Sequence, residues 1–278
     1  MNKVLAGITT YNPSIELLTK NIEAIIEQVD EIVIVDNRSN NVSEIEELTK
    51  KYNIQIIKNE DNKGIGTALN QILDFSFDNQ YEWFLTLDQD SICKKGLIGK
   101  YSNYLDSSIG QLTCIVEDIN YGLKFGRNAK KSLEYEDVND CITSGSLNNT
   151  SLIKTIGGYN ESLFIDGVDL DLSLRIRKEG YIIRRINQIG ILHTEGEGKK
   201  ISFLFFDLKL ANHSPWRNYY ARRNMIYISR KHLKGFRKKT MILKQILYGL
   251  GTILFENNKK DRIKYNCKGI VDGLKCKI

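Results

Sequence analysis

The run Trp83-Phe84-Leu85-Thr86-Leu87 passes directly into Asp88-Gln89-Asp90-Ser91. A short, almost continuous apolar run fits a strand buried on both faces of a sheet. Ending such a strand in two carboxylates is costly. Each ionised group resists desolvation by on the order of several kcal/mol unless a cation or hydrogen-bond donors satisfy it. The carboxyl ends of strands are also where open α/β sheets hold their ligands. One reading is therefore a divalent-metal site: hard oxygen ligands for Mg²⁺ or Mn²⁺, completed by substrate phosphates. The other is an Asp-rich turn or helix cap after a strand.

The chain around this stretch alternates strand and helix patterns. Val4 to Ile8 reads as a strand, stopped by Thr9-Thr10-Tyr11-Asn12-Pro13 because Pro13 cannot continue a central strand. Ser14 is placed to cap a helix whose stripe is Leu18, Ile22, Ile25, Ile26 and Val29. Ile32 to Val35 is a second buried strand ending in Asp36-Asn37, followed by a helix over 43–52 and a strand over 54–57. Asn62-Lys63-Gly64-Ile65-Gly66 opens the next helix, which leads to the Trp83 strand. Such alternation on short connections predicts a parallel sheet with right-handed crossovers.

Between about 110 and 143 the pattern weakens into short strand-like runs, Gln111 to Val116 and Asp140 to Thr143, which suggests mixed sheet and a mobile loop. Ser144-Gly145-Ser146 and Gly157-Gly158-Tyr159-Asn160 read as tight turns. The segment from Phe164 to Arg175 alternates like a strand, but its polar start favours a helix. Strands are expected over 181–186 and 189–193, and long helices over 216–232 and 240–255.

Charge is unevenly placed. Residues 231–278 hold 13 Lys/Arg against 3 Asp/Glu, whereas residues 1–230 hold 27 against 31. A basic tail on a mildly acidic body suggests contact with an anionic surface, the alternative being a solvated basic helix. The five cysteines lack C-x-x-C spacing, which argues for a reducing compartment and against a disulfide framework or zinc site. The opening run Val4 to Ile8 is too short to be a signal-peptide core, so cytoplasmic residence is expected.

Further residues can carry chemistry. Asp36 is placed to accept from a base or ribose, or else to form a turn with Asn37. Lys63 and Gly64 precede a helix N-terminus, which favours an anion; an ordinary turn is the alternative. Asp166, Asp169 and Asp171 form the richest carboxylate group, able to supply a base to a sugar hydroxyl. An acidic helix N-terminus held by the macrodipole would look the same. His193, after an apolar strand, is either structural or a metal ligand.

Taken together these motifs resemble family 2 glycosyltransferases of the GT-A fold. The resemblance rests on Thr9 to Asn12, Asp36-Asn37, Asn62 to Asn70 and Asp88-Gln89-Asp90. Later segments are similar to bacterial rhamnosyltransferases: Phe164-Ile165-Asp166-x-Val168-Asp169-x-Asp171 ending in Arg175, His193-x-x-Gly196, and Trp216-Arg217-Asn218-Tyr219-Tyr220 with Arg222 and Asn224. The resemblance implies an α/β nucleotide-sugar-binding fold, with a central mostly parallel mixed sheet flanked by helices. It implies a catalytic domain over 1–230, with a nucleotide-binding half to about 110 and an acceptor half beyond it. A basic helical extension over 231–278 follows.

The resemblance also assigns roles. Thr10, Tyr11, Asn12, Asp36, Lys63, Gly64, Asp88 and Gln89 would hold the nucleotide sugar. Asp90, Asp88 and His193 would hold Mg²⁺ or Mn²⁺. Asp169 would be the base, with Asp166 as its rival, because Val168 stands where many members carry Glu. Trp216, Arg217 and Arg222 would meet the acceptor or the diphosphate. Leu172 replaces a usual aromatic residue, which points to a different acceptor pocket.

The implied reaction is an inverting transfer of rhamnose from dTDP-rhamnose, or of a UDP-hexose or UDP-galactofuranose sugar, to a lipid-linked saccharide in cell-surface polysaccharide synthesis. No nucleic-acid partner is expected. The run from Gln245 to Phe255 is too short to span a bilayer. It is read as lying at the inner face of the cell membrane, or as packing on the catalytic domain or a second subunit. Two rivals fare worse. A nucleotidyltransferase usually needs a basic Gly-rich loop, and Thr9 to Pro13 has neither Lys nor Gly. A non-catalytic binding protein would not need all three acidic stations.

Overall fold

The computed structural model describes residues 3–118, 122–126, 129–130, 132–193, 199–203, 206–210 and 213–276. The chain divides into two compact units, one drawn from 1–162 and 168–194, the other from 163–167 and 195–278.

The first unit is an α/β sandwich. In chain order its elements are β1 (Val4–Thr10), α1 (Ile15–Ile25), β2 (Glu31–Asp36), α2 (Val42–Tyr52), β3 (Gln55–Lys58), α3 (Ile65–Asp78) and β4 (Trp83–Asp88). They continue with β5 (Ser91–Cys93), α4 (Leu97–Ser102), β6 (Ile109–Asp118), β7 (Gly122–Phe125), β8 (Tyr135–Val138), β9 (Ser146–Asn149), α5 (Thr150–Thr155), α6 (Val168–Lys178) and β10 (Ile182–His193). The sheet order is β3-β2-β1-β4-β9-β6-β10-β5, with β7 on β6 and β8 on β10. Strands β1 to β4, β6 and β10 point one way; β9 and β5 run against them. Strand order reverses between β1 and β4, so a crevice opens at their carboxyl ends.

The first half follows its hydrophobic pattern closely. β1 is buried at every position, and β4 at all but its last. Ser14 caps α1 by accepting from the Leu17 N–H, and Leu18, Ile22 and Ile25 turn inward. The segment after Gly167 is a helix, with Val168, Leu172 and Ile176 on its buried face.

Two expectations are corrected. Asp140–Thr143 is not a strand: the Cys141 N–H bonds to Ser173 Oγ, and the Thr143 carbonyl accepts from Thr86 Oγ1 at 2.6 Å, so neither is left for a ladder. The strands lie on either side, at β8 and β9. The two strands expected over 181–193 are one, β10, bent by register shifts around Ile186, Ile189 and Ile191. Within 110–143, residues 119–121, 127–128 and 131 lie outside the described residues, so the loop expected there is not characterised.

The second unit contains the antiparallel pair β11 (Lys199–Phe203) and β12 (Phe206–Leu210) and three helices: α7 (Pro215–His232), α8 (Gly235–Phe255) and α9 (Lys259–Lys275). Among the described residues no helix is long and apolar enough to cross a membrane.

Candidate active site

The carboxyl ends of β1, β2 and β4 stand side by side. The register sets Thr9 opposite Asp88 and Thr10 opposite Asp36. Beyond β4 the turn is held from two sides. Asn21, fully buried on α1, donates to the Asp88 carbonyl at 2.7 Å, and Gln89 Oε1 accepts the Tyr11 N–H at 2.8 Å. The chain then forms β5, which pairs antiparallel with the end of β10 and sets Ser91 opposite His193. This short ladder delivers the imidazole to the carboxylates. His193 Nε2 lies 3.3 Å from Asp90 Oδ1 and 3.7 Å from Asp88 Oδ2.

One ligand atom from each of Asp88, Asp90 and His193 can be chosen so that all lie within 4.8 Å of one another. An octahedral ion bonded at about 2.1 Å sets adjacent ligands about 3 Å apart. The spacing therefore fits one small divalent ion with little movement. Asp118, buried at the end of β6, is the register partner of His193 on its other side.

The β1–β2 side is tied together internally. Asp36 is 1% exposed, and its carboxylate accepts from Thr10 Oγ1 at 2.9 Å, from Ser39 Oγ and from the Ser39 N–H. Asp36 and Thr10 thus brace the loop, in a conformation that gives neither side chain an open face. Tyr11, half exposed, projects from that loop. Asn12 adopts a positive φ of 48°, accepts from the Asn40 N–H and donates its own N–H to Ser39 Oγ.

An amide chain from Gln71 through Asn59 to Asn37 ends on the Gly64 carbonyl. Gly64, at φ 83°, precedes α3, and no side chain caps that helix. Lys63 is exposed beside it. The second glycine answers a different need: a Cβ on Gly66 would stand 3.0 Å from the Asn160 carbonyl, so the close approach there is by the protein's own backbone.

The three later aspartates have three different surroundings. Asp171 is fully buried and paired with Arg175, whose other nitrogens hold the Ile156 and Gly158 carbonyls. It is a clip that fixes α6. Asp169, in the first turn of α6, is half-buried and accepts the Leu170 N–H. Because α6 returns tightly into β10, its N-terminus lies toward the sheet edge where β10 ends at His193. Burial pushes the nearby Cys141 thiol up to about 12, and the charge of Asp169 adds to that.

Asp166 belongs to the second unit. Arg217 grips it through two bonds, at 2.8 and 3.1 Å. Asn224 Nδ2 reaches the carbonyls of Leu163, Ile165 and Asp166, fixing a loop in which Phe164 and Asp166 both have positive φ. Trp216 is exposed and meets the edge of Tyr220, which stacks on Phe164. Arg222 is 9% exposed, lies 5.6 Å from the Tyr248 ring, and is held down to about 10 by burial. Of the three residues expected to meet acceptor or diphosphate, Arg217 is engaged by Asp166 and Arg222 is interior; Trp216 alone is open. Gly196 lies outside the described residues.

Sequence reasoning missed Asn21, Ser39 and Asp118. Asn21 carried a legible signal, a polar residue beside the apolar stripe of α1. Asp118 and Ser39 gave none without the sheet register.

Comparison with known proteins follows this geometry. The family model described as Glycosyl transferase family 2 matches residues 6–158. The chain is 27% identical over 294 residues to the dTDP-rhamnosyl transferase RfbF of Shigella flexneri, covering 99% of this chain and 96% of that protein. Among solved structures, the mannosyltransferase PcManGT from Pyrobaculum calidifontis, in complex with GDP-Man and Mn²⁺, superposes with a TM-score of 0.65 at 13% identity. That match covers 98% of this chain and 87% of the other. S. aureus TarS 1–349 with UDP-GlcNAc gives 0.60 at 18% identity over 96% and 81%. The chain spans 44% of the longer TarS structure. At these identities the structural likenesses speak to the fold, the GT-A arrangement of a central mixed sheet flanked by helices.

Proposed function

The chain belongs to glycosyl transferase family 2 and is a glycosyltransferase; from that premise we propose that it moves L-rhamnose from dTDP-rhamnose to a lipid-linked saccharide acceptor, inverting the anomeric configuration. The observation that carries the site is the Asp88–Asp90–His193 cluster at the sheet's switch point. The donor reading is supported by the relative from Shigella flexneri, whose name is that of a dTDP-rhamnosyl transferase.

In this reading Tyr11 and the first turn of α3 receive the nucleotide and its phosphates. Thr10, Asn12 and Asp36 hold the Tyr11 loop in place, and Gln89 links that loop to the carboxylate turn. Asp88, Asp90 and His193 hold the divalent ion. Two carboxylates with one imidazole depart from the all-oxygen set that Mg²⁺ prefers, so Mn²⁺ suits them better. Once bound, the ion supplies Lewis-acid stabilisation to the departing diphosphate. Asp169 takes the proton from the acceptor hydroxyl as that oxygen attacks the anomeric carbon. Asp166 is a positioning residue through its pair with Arg217. Residues 1–230 carry the chemistry, and 231–278 bring the enzyme to the inner face of the membrane where a lipid-linked acceptor resides.

The test is hydrolysis and transfer with dTDP-rhamnose, UDP-glucose, UDP-galactose and UDP-galactofuranose in Mn²⁺. dTDP-rhamnose should be turned over at least tenfold faster than the others. A UDP sugar turned over faster would replace the donor, and turnover of none would remove the reading.

A further inference from the structure

Helices α8 and α9 are built inside out. The buried positions of α8 are Gln245, Gly249, Gly251 and Thr252, with Glu256 buried just beyond its end. Those of α9 are Arg262, Asn266, Gly269 and Gly273. The sets 245/249/252/256 and 262/266/269/273 share one helical spacing, so each is a single stripe. Polar members of the two stripes meet each other. Arg262 pairs with Glu256 and donates to the His213 carbonyl, and Asn266 donates to Thr252 Oγ1 at 3.0 Å. The glycines permit close packing: a Cβ on Gly269 would stand 2.5 Å from the Tyr219 carbonyl of α7.

On α8 the apolar residues take the opposite face, and on α9 the exposed apolar residues flank the buried stripe at about 100°, with Lys264, Lys268 and Lys275 opposite it. On α8, Leu243, Leu250 and Leu254 are 55, 46 and 50% exposed. With Leu247 they repeat the same spacing. Ile263 and Leu274 of α9 are 48 and 46% exposed, on a stripe that also holds Cys267. A water-soluble helix normally turns its apolar stripe inward. Helices with small and polar residues at their mutual contacts and leucines outward are the pattern of helices whose solvent is lipid.

The charges choose between a bilayer and a second copy of the chain. Lys234, Arg237, Lys239 and Lys244 on the α8 segment are exposed, as are Lys259, Lys260, Lys264, Lys268 and Lys275 on α9. Of the three acidic groups there, Glu256 is buried against Arg262 and Asp272 accepts from the Tyr219 hydroxyl, which leaves Asp261 as the one exposed carboxylate among the exposed lysines and arginine of the described residues. Self-association would set like charges against each other; an anionic leaflet complements them. Neither helix meets the requirements of a membrane span.

We infer that α8 and α9 lie in the plane of an anionic membrane, with the Leu243–Leu250–Leu254 and Ile263–Leu274 stripes sunk to the headgroup–acyl boundary and the lysines among the headgroups. This deepens the proposed transfer to a lipid-linked acceptor. It also changes the expected salt response. A purely basic tail would release when salt screens it, whereas buried leucines hold on.

The experiment is co-sedimentation of the full chain with vesicles of phosphatidylcholine and phosphatidylglycerol. It uses no donor or acceptor, so it fails independently of the proposed reaction. The protein should bind at low salt and keep a measurable part of that binding at about 1 M salt, where the screening length is about 3 Å. The combined L243Q/L250Q/L254Q variant should bind at least tenfold more weakly. Because a triple variant can misfold, a second measurement uses the wild-type face in a Cys276→Ser background. Vesicles should slow labelling of Cys267 by a water-soluble maleimide at least tenfold. Equal binding by wild type and a folded triple variant, complete release at high salt, unchanged labelling, or a vesicle-free dimer that the triple variant dissolves would each overturn the inference.

Discussion

Replacing Asp166 and Asp169 separately by Asn distinguishes a base from a brace. At Asp169, Asn keeps the shape and still accepts the Leu170 N–H, so stability should hardly change. What is lost is basicity. General-base catalysis contributes about 10²- to 10⁴-fold, which at about 1.4 kcal/mol per decade is about 3 to 5 kcal/mol of barrier. At Asp166 the loss is structural. Arg217 holds it with two bonds, and the side chains are 31 and 27% exposed for Arg217 and Asp166. Exposed pairs contribute about 0.2–1 kcal/mol and bonds to charged groups about 1.5–3, so this half-screened pair belongs between them, at about 1–2 kcal/mol. At about 2–4 °C per kcal/mol for chains approaching this size, Asp166→Asn should melt about 2–8 °C lower. The assay is single-turnover transfer from dTDP-rhamnose, with donor affinity and a calorimetric melt on each variant. Asp169→Asn should lose at least about 10²-fold in the transfer rate, with donor affinity and melt unchanged. Asp166→Asn should melt lower and keep most of its rate. Reversal of these two patterns would show that the proton goes to Asp166, and the reasoning from its ion pair would be wrong.

Two further predictions concern the carboxylate turn. Asp90→Ala should weaken Mn²⁺ binding at least tenfold, read by electron paramagnetic resonance of the free ion, and His193→Ala should weaken it too; unchanged affinity in both would leave the cluster as an ion pair only. Gln89→Ala removes the acceptor of the Tyr11 N–H, so KM for the donor should rise several-fold while kcat stays near wild type, and a loss confined to kcat would detach Gln89 from the nucleotide loop.

The first half of the sheet was legible because β1, β2 and β4 are buried on both faces and read as nearly unbroken apolar runs, with only the edge strand β3 partly exposed. The helices between carry their stripes at 18, 22 and 25 or at 45 and 48. Asp88 and Asp90 were legible for the same reason, as charges that end such a run. His193 was only half legible, since its meeting with them depends on β5, three residues too ordinary to mark a strand. Asp36 was legible as a site position but not in its role. Thr10 and Ser39 close over it, and that burial depends on a loop conformation that includes the positive φ of Asn12.

The C-terminal helices show a further limit. A periodic stripe establishes that a helix has two unlike faces, but not which face its neighbours cover. In α8 the run from Gln245 to Phe255 could be read either as an apolar face at the membrane or as a segment packed on the catalytic domain or a second subunit, and its own sequence does not choose. The deciding residues are Arg262 and Asn266, in a different helix. Once Arg262 is committed to Glu256 and Asn266 to Thr252, the polar stripe of α8 must face inward, and its leucines have nowhere to go but out. Burying Arg262 against a leucine face instead would strand a guanidinium without a carboxylate, at a cost of about 3–5 kcal/mol for an uncompensated buried charge. That exceeds the roughly 1.5–3 kcal/mol gained by burying any one of the leucines. The inward ion pair therefore fixes the orientation, and the outward stripe is its consequence.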